Sequence, residues 1–349
     1  MEYVRLGDSD LRVSRICLGT MVWGSQNTES EAFEQLDCAV DLGVNFLDTA
    51  EMYPVPSNAR TYGATETIIG NWMKRRANRA DVVLATKVAG PCAEWMPHIR
   101  NAGTRLDRPN IERAIDDSLR RLGTDYVDLY QLHWPQRKTN YFGRLGYTHE
   151  PTRDWIPLEE TLGVLGDLVR QGKIRAAGVS NETPWGLMRM LCAAHQVPGL
   201  PRLASIQNPY SLLNRSFEVG LAEVCLRESV ACLPYSPLGF GVLSGKYLEG
   251  GDPAARLNRS EFGHFTRYTN PLPRLATEEY ARVARRFGLD MAQMALAYVR
   301  SRPFVTSTII GTSCVEQVRE NVASLELTLD EEVSRAIEEV HKAHPNPAP

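Results

Sequence analysis

No apolar run in this 349-residue chain approaches the roughly 20 residues that a membrane-spanning helix needs, which excludes such a helix. A basic and apolar leader is also missing. Glu2, Arg5, Asp8 and Asp10 interrupt the N-terminus at once, as expected of a protein that stays in the cytoplasm. The seven cysteines (Cys17, Cys38, Cys92, Cys192, Cys225, Cys232 and Cys314) include no Cys-x-x-Cys pair, and most sit in apolar segments. That distribution argues against a disulfide framework or a zinc site and for reduced core thiols. An excess of one charge is lacking too: 39 basic residues face 42 acidic ones, spread along the chain. Nucleic acid and anionic membrane are therefore not expected as partners. There is no low-complexity tract and no linker, so one domain over 1–349 is expected. The first strand–helix junction reads Gly19-Thr20-Met21-Val22-Trp23-Gly24, without the Gly-x-Gly-x-x-Gly turn of a Rossmann sheet.

What the chain does have is strict alternation. Residues 2–14 form a hairpin pattern around Gly7-Asp8-Ser9-Asp10. Strands are then expected at 16–19, 44–49, 82–87, 127–133, 175–180, 204–207, 230–235 and 308–311. Amphipathic helices separate them, with a capping box at Thr28 and Glu31 and another at Thr328 and Glu331 ahead of a closing helix. Eight strand–helix units in a chain of this length predict an α/β fold of the closed (β/α)8 barrel type, with an N-terminal hairpin. The irregular stretches at 54–65, 88–108, 134–157 and 239–275 all follow strands. They are expected to project from the C-terminal face, where such barrels carry their sites. Residues 345–349 are expected to be a loose tail.

Polar residues stand out against these apolar strands. Asn45-Phe46-Leu47-Asp48 delivers a carboxylate at the end of the second barrel strand, and Tyr53 follows just before Pro54. Lys87 ends the third strand and His133 the fourth. Neighbouring strands lie about 4.8 Å apart, so these side chains can meet. A tyrosine must lose roughly 2–3 pKa units to exchange protons readily near neutrality, and burial pushes the other way. Lys87 supplies the cation that opposes burial, Asp48 holds that cation charged, and His133 offers a hydrogen bond to a carbonyl oxygen. Taken singly, each residue reads equally well as a structural ion pair, a cap or a strand terminator.

Together Asp48, Tyr53, Lys87 and His133 resemble, in order and context, the catalytic tetrad of the aldo-keto reductase superfamily. The segments that carry the likeness are 46–53, 85–87 and 129–135, and it continues through 172–181 and 207–215. The resemblance implies NADPH/NADP+ as cofactor, a small carbonyl compound as substrate, and reversible hydride transfer. It implies that Ser180, Asn181 and Gln207 hold the nicotinamide carboxamide and that Tyr235 stacks on its ring. Ser236, Leu238, Gly241 and Ser244 follow the pyrophosphate by the same likeness. Lys246 and Arg256 match basic residues that grip the 2′-phosphate in the related potassium-channel β subunits. Gly311, Ser313, Gln317, Glu320 and Asn321 surround the adenosine end. Many members have a Lys-Ser pair and an arginine around the 2′-phosphate, where this chain has Gly311, Thr312 and Gln317. Trp23, Trp134 and Tyr141 are expected as substrate-pocket walls, with Trp155, Phe265 and Tyr268 in the same long loops. Two other readings stay open: a cofactor-sensing regulatory subunit like the channel β subunits, and a pathway dehydrogenase running toward alcohol oxidation. Substrate and oligomeric state cannot be read from the sequence.

Overall fold

The computed structural model describes residues 1–349 except 145, 152–155, 252, 254 and 264; Trp155 thus lies outside the described residues. The chain opens with the hairpin, β1 (Tyr3–Arg5) antiparallel to β2 (Arg12–Ser14). Eight parallel strands follow: β3 (Ile16–Gly19), β4 (Phe46–Asp48), β5 (Val83–Val88), β6 (Val127–Leu132), β7 (Ile174–Ser180), β8 (Leu203–Gln207), β9 (Ala231–Cys232) and β10 (Thr308–Gly311). Their lateral order is β10-β3-β4-β5-β6-β7-β8-β9. The N–H of Thr306 donates to the Cys232 carbonyl at 2.9 Å and that of Ile309 to the Pro234 carbonyl at 2.9 Å. These bonds join the two outer strands, and the sheet curls into the expected barrel. Leu6, Leu11 and Val13 of the hairpin pack with Cys17, Phe46 and Leu129 of the barrel interior, plugging its N-terminal mouth with apolar surface.

The outer layer contains α1 (Glu29–Asp41), α2 (Ala64–Arg76), α3 (Arg108–Leu122), α4 (Leu158–Arg170), α5 (Pro184–Gln196), α6 (Leu221–Glu228), α7 (Pro271–Arg286), α8 (Met291–Ser301), α9 (Val315–Ala323) and α10 (Glu331–Ala343). Their starts follow local chemistry. Thr28 and Glu31 form the expected capping box, and Asp107, Thr183 and Asn270 cap helices that have proline in the first turn. The second box does not form. Asp330 caps α10 instead, accepting from the Val333 N–H, because its carboxylate both reaches an orphan amide and sits at the positive end of the helix.

The tail also departs from expectation. Pro347 and Ala348 are buried. The Ala348 N–H donates to the Leu213 carbonyl at 3.0 Å, and the Asn346 side chain accepts from the Arg215 N–H at 2.6 Å. Proline content signals poor helix and sheet propensity, but it does not prevent docking through one backbone bond and one side-chain bond. Among the cysteines, five are buried as expected, whereas Cys192 is exposed and Cys314 is half-buried; all seven are free thiols.

Candidate active site

Strand register places the first polar cluster. Asp48 pairs with Ala85, and Lys87 lies two residues further along β5, so both side chains leave the same face and meet diagonally. Lys87 is fully buried, and its Nζ donates to Asp48 Oδ2 at 2.6 Å and to the Thr49 carbonyl at 2.8 Å. The ammonium also lies 5.0 Å from the centre of the Tyr53 ring. His133 follows β6 directly and meets Tyr53 edge to face, ring centres 5.7 Å apart at 79°. The four residues singled out in the sequence therefore form one buried cluster at the C-terminal mouth of the barrel.

The electrostatics differ from expectation in one respect. Burial raises the Tyr53 phenol above its ordinary value; Lys87 opposes this, and Asp48 adds to it. The lysine does not win because desolvation of the buried phenol is the larger effect, and the Asp48 carboxylate adds to it. Lys87 itself, penalised by burial, is held above its ordinary value by Asp48 and Tyr53, so it stays cationic. His133 is pushed well below the usual imidazole range by burial and by Lys87, so it is neutral at pH 7. Its Nδ1 is buried and has no hydrogen-bond partner among the described residues.

A second buried pair fixes the turn that carries Tyr53. Glu51 is fully buried and accepts both arms of Arg100 (2.5 and 2.9 Å), the Tyr62 hydroxyl (3.0 Å) and the Ala89 N–H (2.6 Å). Arg100, Asn101 and Ala102 all have positive φ, a costly run for residues with a Cβ, and the Arg100–Glu51 fork helps to hold it. The Tyr53–Pro54 and Val55–Pro56 peptide bonds are both cis.

Tyr53 and His133 border a cavity of about 980 Å³. Lys87 lies beneath its floor. Ser180, Asn181, Gln207, Tyr235, Ser236, Leu238, Gly241, Ser244, Lys246, Arg256, Gly311, Ser313, Gln317, Glu320 and Asn321 line it as well. Asn181 donates to the His133 carbonyl at 2.9 Å and accepts from the Tyr235 hydroxyl at 2.7 Å, tying the end of β7 to the residues after β6 and β9. The Ser180 hydroxyl donates to the Gln207 carbonyl at 2.7 Å. At the far end the Ser313 N–H donates to Gln317 Oε1 at 2.9 Å. Trp23, Trp134 and Tyr141 are not on the cavity wall. Trp23 and Trp134 are fully buried, and Trp95 packs over Trp134 at 5.1 Å and takes the place expected for it on the wall. Phe142 does the same for Tyr141. Phe265, Tyr268 and the tail residues Asn346, Pro347 and Pro349 also line the cavity.

The far wall suits a nicotinamide dinucleotide. The Arg256 guanidinium lies over the rings of Phe240 (5.1 Å) and Phe262 (6.0 Å), and burial lowers its pKa to about 10. Among the described residues it has no carboxylate within ion-pair distance. A desolvated cation without a counter-charge is placed to receive an anion. Gly241 has φ 88°, a conformation that favours glycine, and the end of the Lys246 side chain lies against it, 2.6 Å from where a Cβ would stand.

The barrel, its C-terminal-face cavity and the buried Asp–Lys–Tyr–His cluster define an oxidoreductase class: the chain belongs to the aldo/keto reductase family, whose profile matches residues 15–342. Its relatives include Protein tas of Escherichia coli K12, to which it is 51% identical over 349 residues, all of both chains. The uncharacterized oxidoreductase YrpG of Bacillus subtilis is 34% identical over 97% of this chain and 96% of its own. The NADH-specific methylglyoxal reductase of E. coli is 29% identical over 98% of this chain and 99% of its own. The family works with NADH or NADPH. Among the described residues no helix is long and apolar enough to cross a membrane.

Proposed function

We propose that this protein reduces an aldehyde or ketone to the alcohol with NADPH, reversibly, using Tyr53 as the acid and base. The observation that carries the reading is the buried cluster itself. A protonated phenol and a neutral imidazole face one cavity, over a lysine whose charge is fixed by Asp48. When bound, the nicotinamide supplies the hydride.

The residues do the rest. Tyr53 keeps its proton at neutral pH, so the donor form needed for reduction is fully populated. As negative charge builds on the substrate oxygen, Lys87 stabilises the phenolate left behind. Asp48 keeps the ammonium in place. The orphaned Nδ1 of His133 favours carrying the proton on Nε2, because a buried N–H without an acceptor is costlier than a buried lone pair. His133 then donates from Nε2 to the carbonyl oxygen. Ser180, Asn181 and Gln207 offer donors and acceptors to the carboxamide, and Tyr235 offers its ring. Lys246 and Arg256 hold the 2′-phosphate, which gives the preference for NADPH over NADH.

Tyr53→Phe tests this. Turnover with simple aldehydes should fall by about 10³-fold or more while NADPH affinity stays within about threefold. Wild-type reductase rates in that variant would remove Tyr53 from the chemistry.

A further inference from the structure

The Asp48 carboxylate is held on both sides. Oδ2 receives Lys87, while Oδ1 receives Gln207 Nε2 at 2.8 Å and Gln131 Nε2 at 3.2 Å. Gln207 Nε2 also donates to Gln131 Oε1 at 3.3 Å. Gln131 is fully buried and sits two residues before His133, on the inward phase of β6, directly opposite Lys87 in the register. Asp48, Gln131 and Gln207 come from β4, β6 and β8, and side chains from alternate strands share one layer of such a barrel. The strand between the two glutamines supplies Gly178, opposite Gln131. A Cβ at Gly178 would stand 3.2 Å from Gln131 Cγ and 2.4 Å from Ser205 Oγ. This glycine leaves the gap across which the two amides meet.

We infer that Gln131 is a positioning residue: with Gln207 it clamps the Asp48 carboxylate and so sets the charge that Lys87 presents to Tyr53. A pair of amide donors on Oδ1 draws carboxylate charge away from the lysine side. Gln207 also lines the cavity, and its Oε1 accepts no hydrogen bond among the described residues. The same side chain that steadies Asp48 is thereby open to the nicotinamide carboxamide, so the cofactor seat and the proton donor share one polar layer. The inference rests on the reading of Tyr53 as acid and base.

The test follows the base-dependent direction, alcohol oxidation with NADP+, against pH in the full-length enzyme. The titratable groups around Tyr53 are Asp48, Lys87, His133, Cys17 and Tyr235; Gln131 is none of them, so its removal adds no titration of its own. Gln131→Leu keeps the volume and removes the donor. Charge returns to the inner oxygen of Asp48, the field at Tyr53 becomes more negative, and the rising limb of kcat moves to higher pH by roughly half a unit or more. Carbonyl reduction at pH 7 slows as well, because a weaker acid gives up its proton less readily, but the moved limb is the readout that a merely structural role would not give. A uniform loss at every pH with an unmoved limb, or a shift to lower pH, overturns the inference. Gln131→Met repeats the measurement if the leucine variant fails to fold. The Tyr53→Phe control separates the two failures: if it retains activity the acid–base reading falls, whereas if it is inactive and Gln131→Leu shows no shift only the role of Gln131 falls.

Discussion

The two ends of the cavity are built by opposite means. At the inner end Asp48, Lys87 and Gln131 stand on strands, and Tyr53 follows on a turn clamped by the Glu51–Arg100 pair. Both Asp48 oxygens accept hydrogen bonds, and Lys87 Nζ donates to Asp48 and to the Thr49 carbonyl. At the outer end Lys246 and Arg256 stand on the long excursion between β9 and α7, whose described residues form short helical turns. There cations rest on aromatic faces: Arg256 on Phe240 and Lys246 on Tyr247 at 5.4 Å. A charge that tunes a proton must not move, and backbone register fixes it. Arg256, with no carboxylate at ion-pair distance among the described residues, keeps its charge available to a polyanion, and a loop tolerates this better than a packed core.

That contrast predicts different kinetic consequences. Lys87→Met, at the fixed end, leaves Asp48 as a buried carboxylate without its cation. Turnover should fall on the order of 10³-fold, and the fold should lose about 3–5 kcal/mol, read by denaturant titration. Little change in stability would mean that the pair is more solvated than its burial indicates. Arg256→Gln, at the open end, should raise the NADPH dissociation constant about tenfold or more, leave NADH nearly untouched and barely alter stability. Equal loss for both cofactors would place Arg256 on the pyrophosphate instead and weaken the proposed NADPH preference. Lys246→Ala should show the same selectivity with a smaller loss, because an exposed lysine binds as a screened point charge.

The fixed end was also the more legible in the sequence. Asp48, Lys87 and His133 interrupt apolar strands at their C-terminal ends, and strand periodicity alone brings them together. The same periodicity marks Gln131, two residues before His133; the overlooked signal was a polar residue on the inward phase of a buried strand. Loop residues carry no such period. Trp134 was expected on the wall and lies behind Trp95, since nothing in an aperiodic segment says which aromatic faces inward. The docked tail was illegible for the same reason: one hold is a backbone bond to Leu213, and the other is a lone Asn346 side chain in a segment without a period. The second capping box failed because Thr328 and Asp330 were both eligible caps, and only the helix start decides between them. The lowered tyrosine pKa failed on magnitude: the sequence shows that Lys87 opposes burial but not how far burial outweighs it.

The smallest expected effect turns the dryness of the inner end into a measurement. His133 is held below its ordinary pKa in the folded protein, so below about pH 6.5 the unfolded chain binds a proton that the folded chain refuses. More protons bound in the unfolded state means that stability rises with pH through this window and falls on acidification. The cost is up to about 1.4 kcal/mol per pH unit, until the folded histidine itself titrates. His98 and His341 are lowered by burial as well and contribute in the same direction, so the wild-type slope alone does not isolate the site. The difference between wild type and His133→Gln does. Urea titrations at pH 5.5 and 7 should show a shallower pH dependence in the variant by about 1 kcal/mol. Lys246→Ala should keep the wild-type slope, because it leaves His133 and its surroundings in place. Identical slopes for wild type and His133→Gln would mean that His133 can take a proton in place. Its neutrality would then have to be abandoned, and an imidazolium rather than a neutral imidazole would orient the carbonyl.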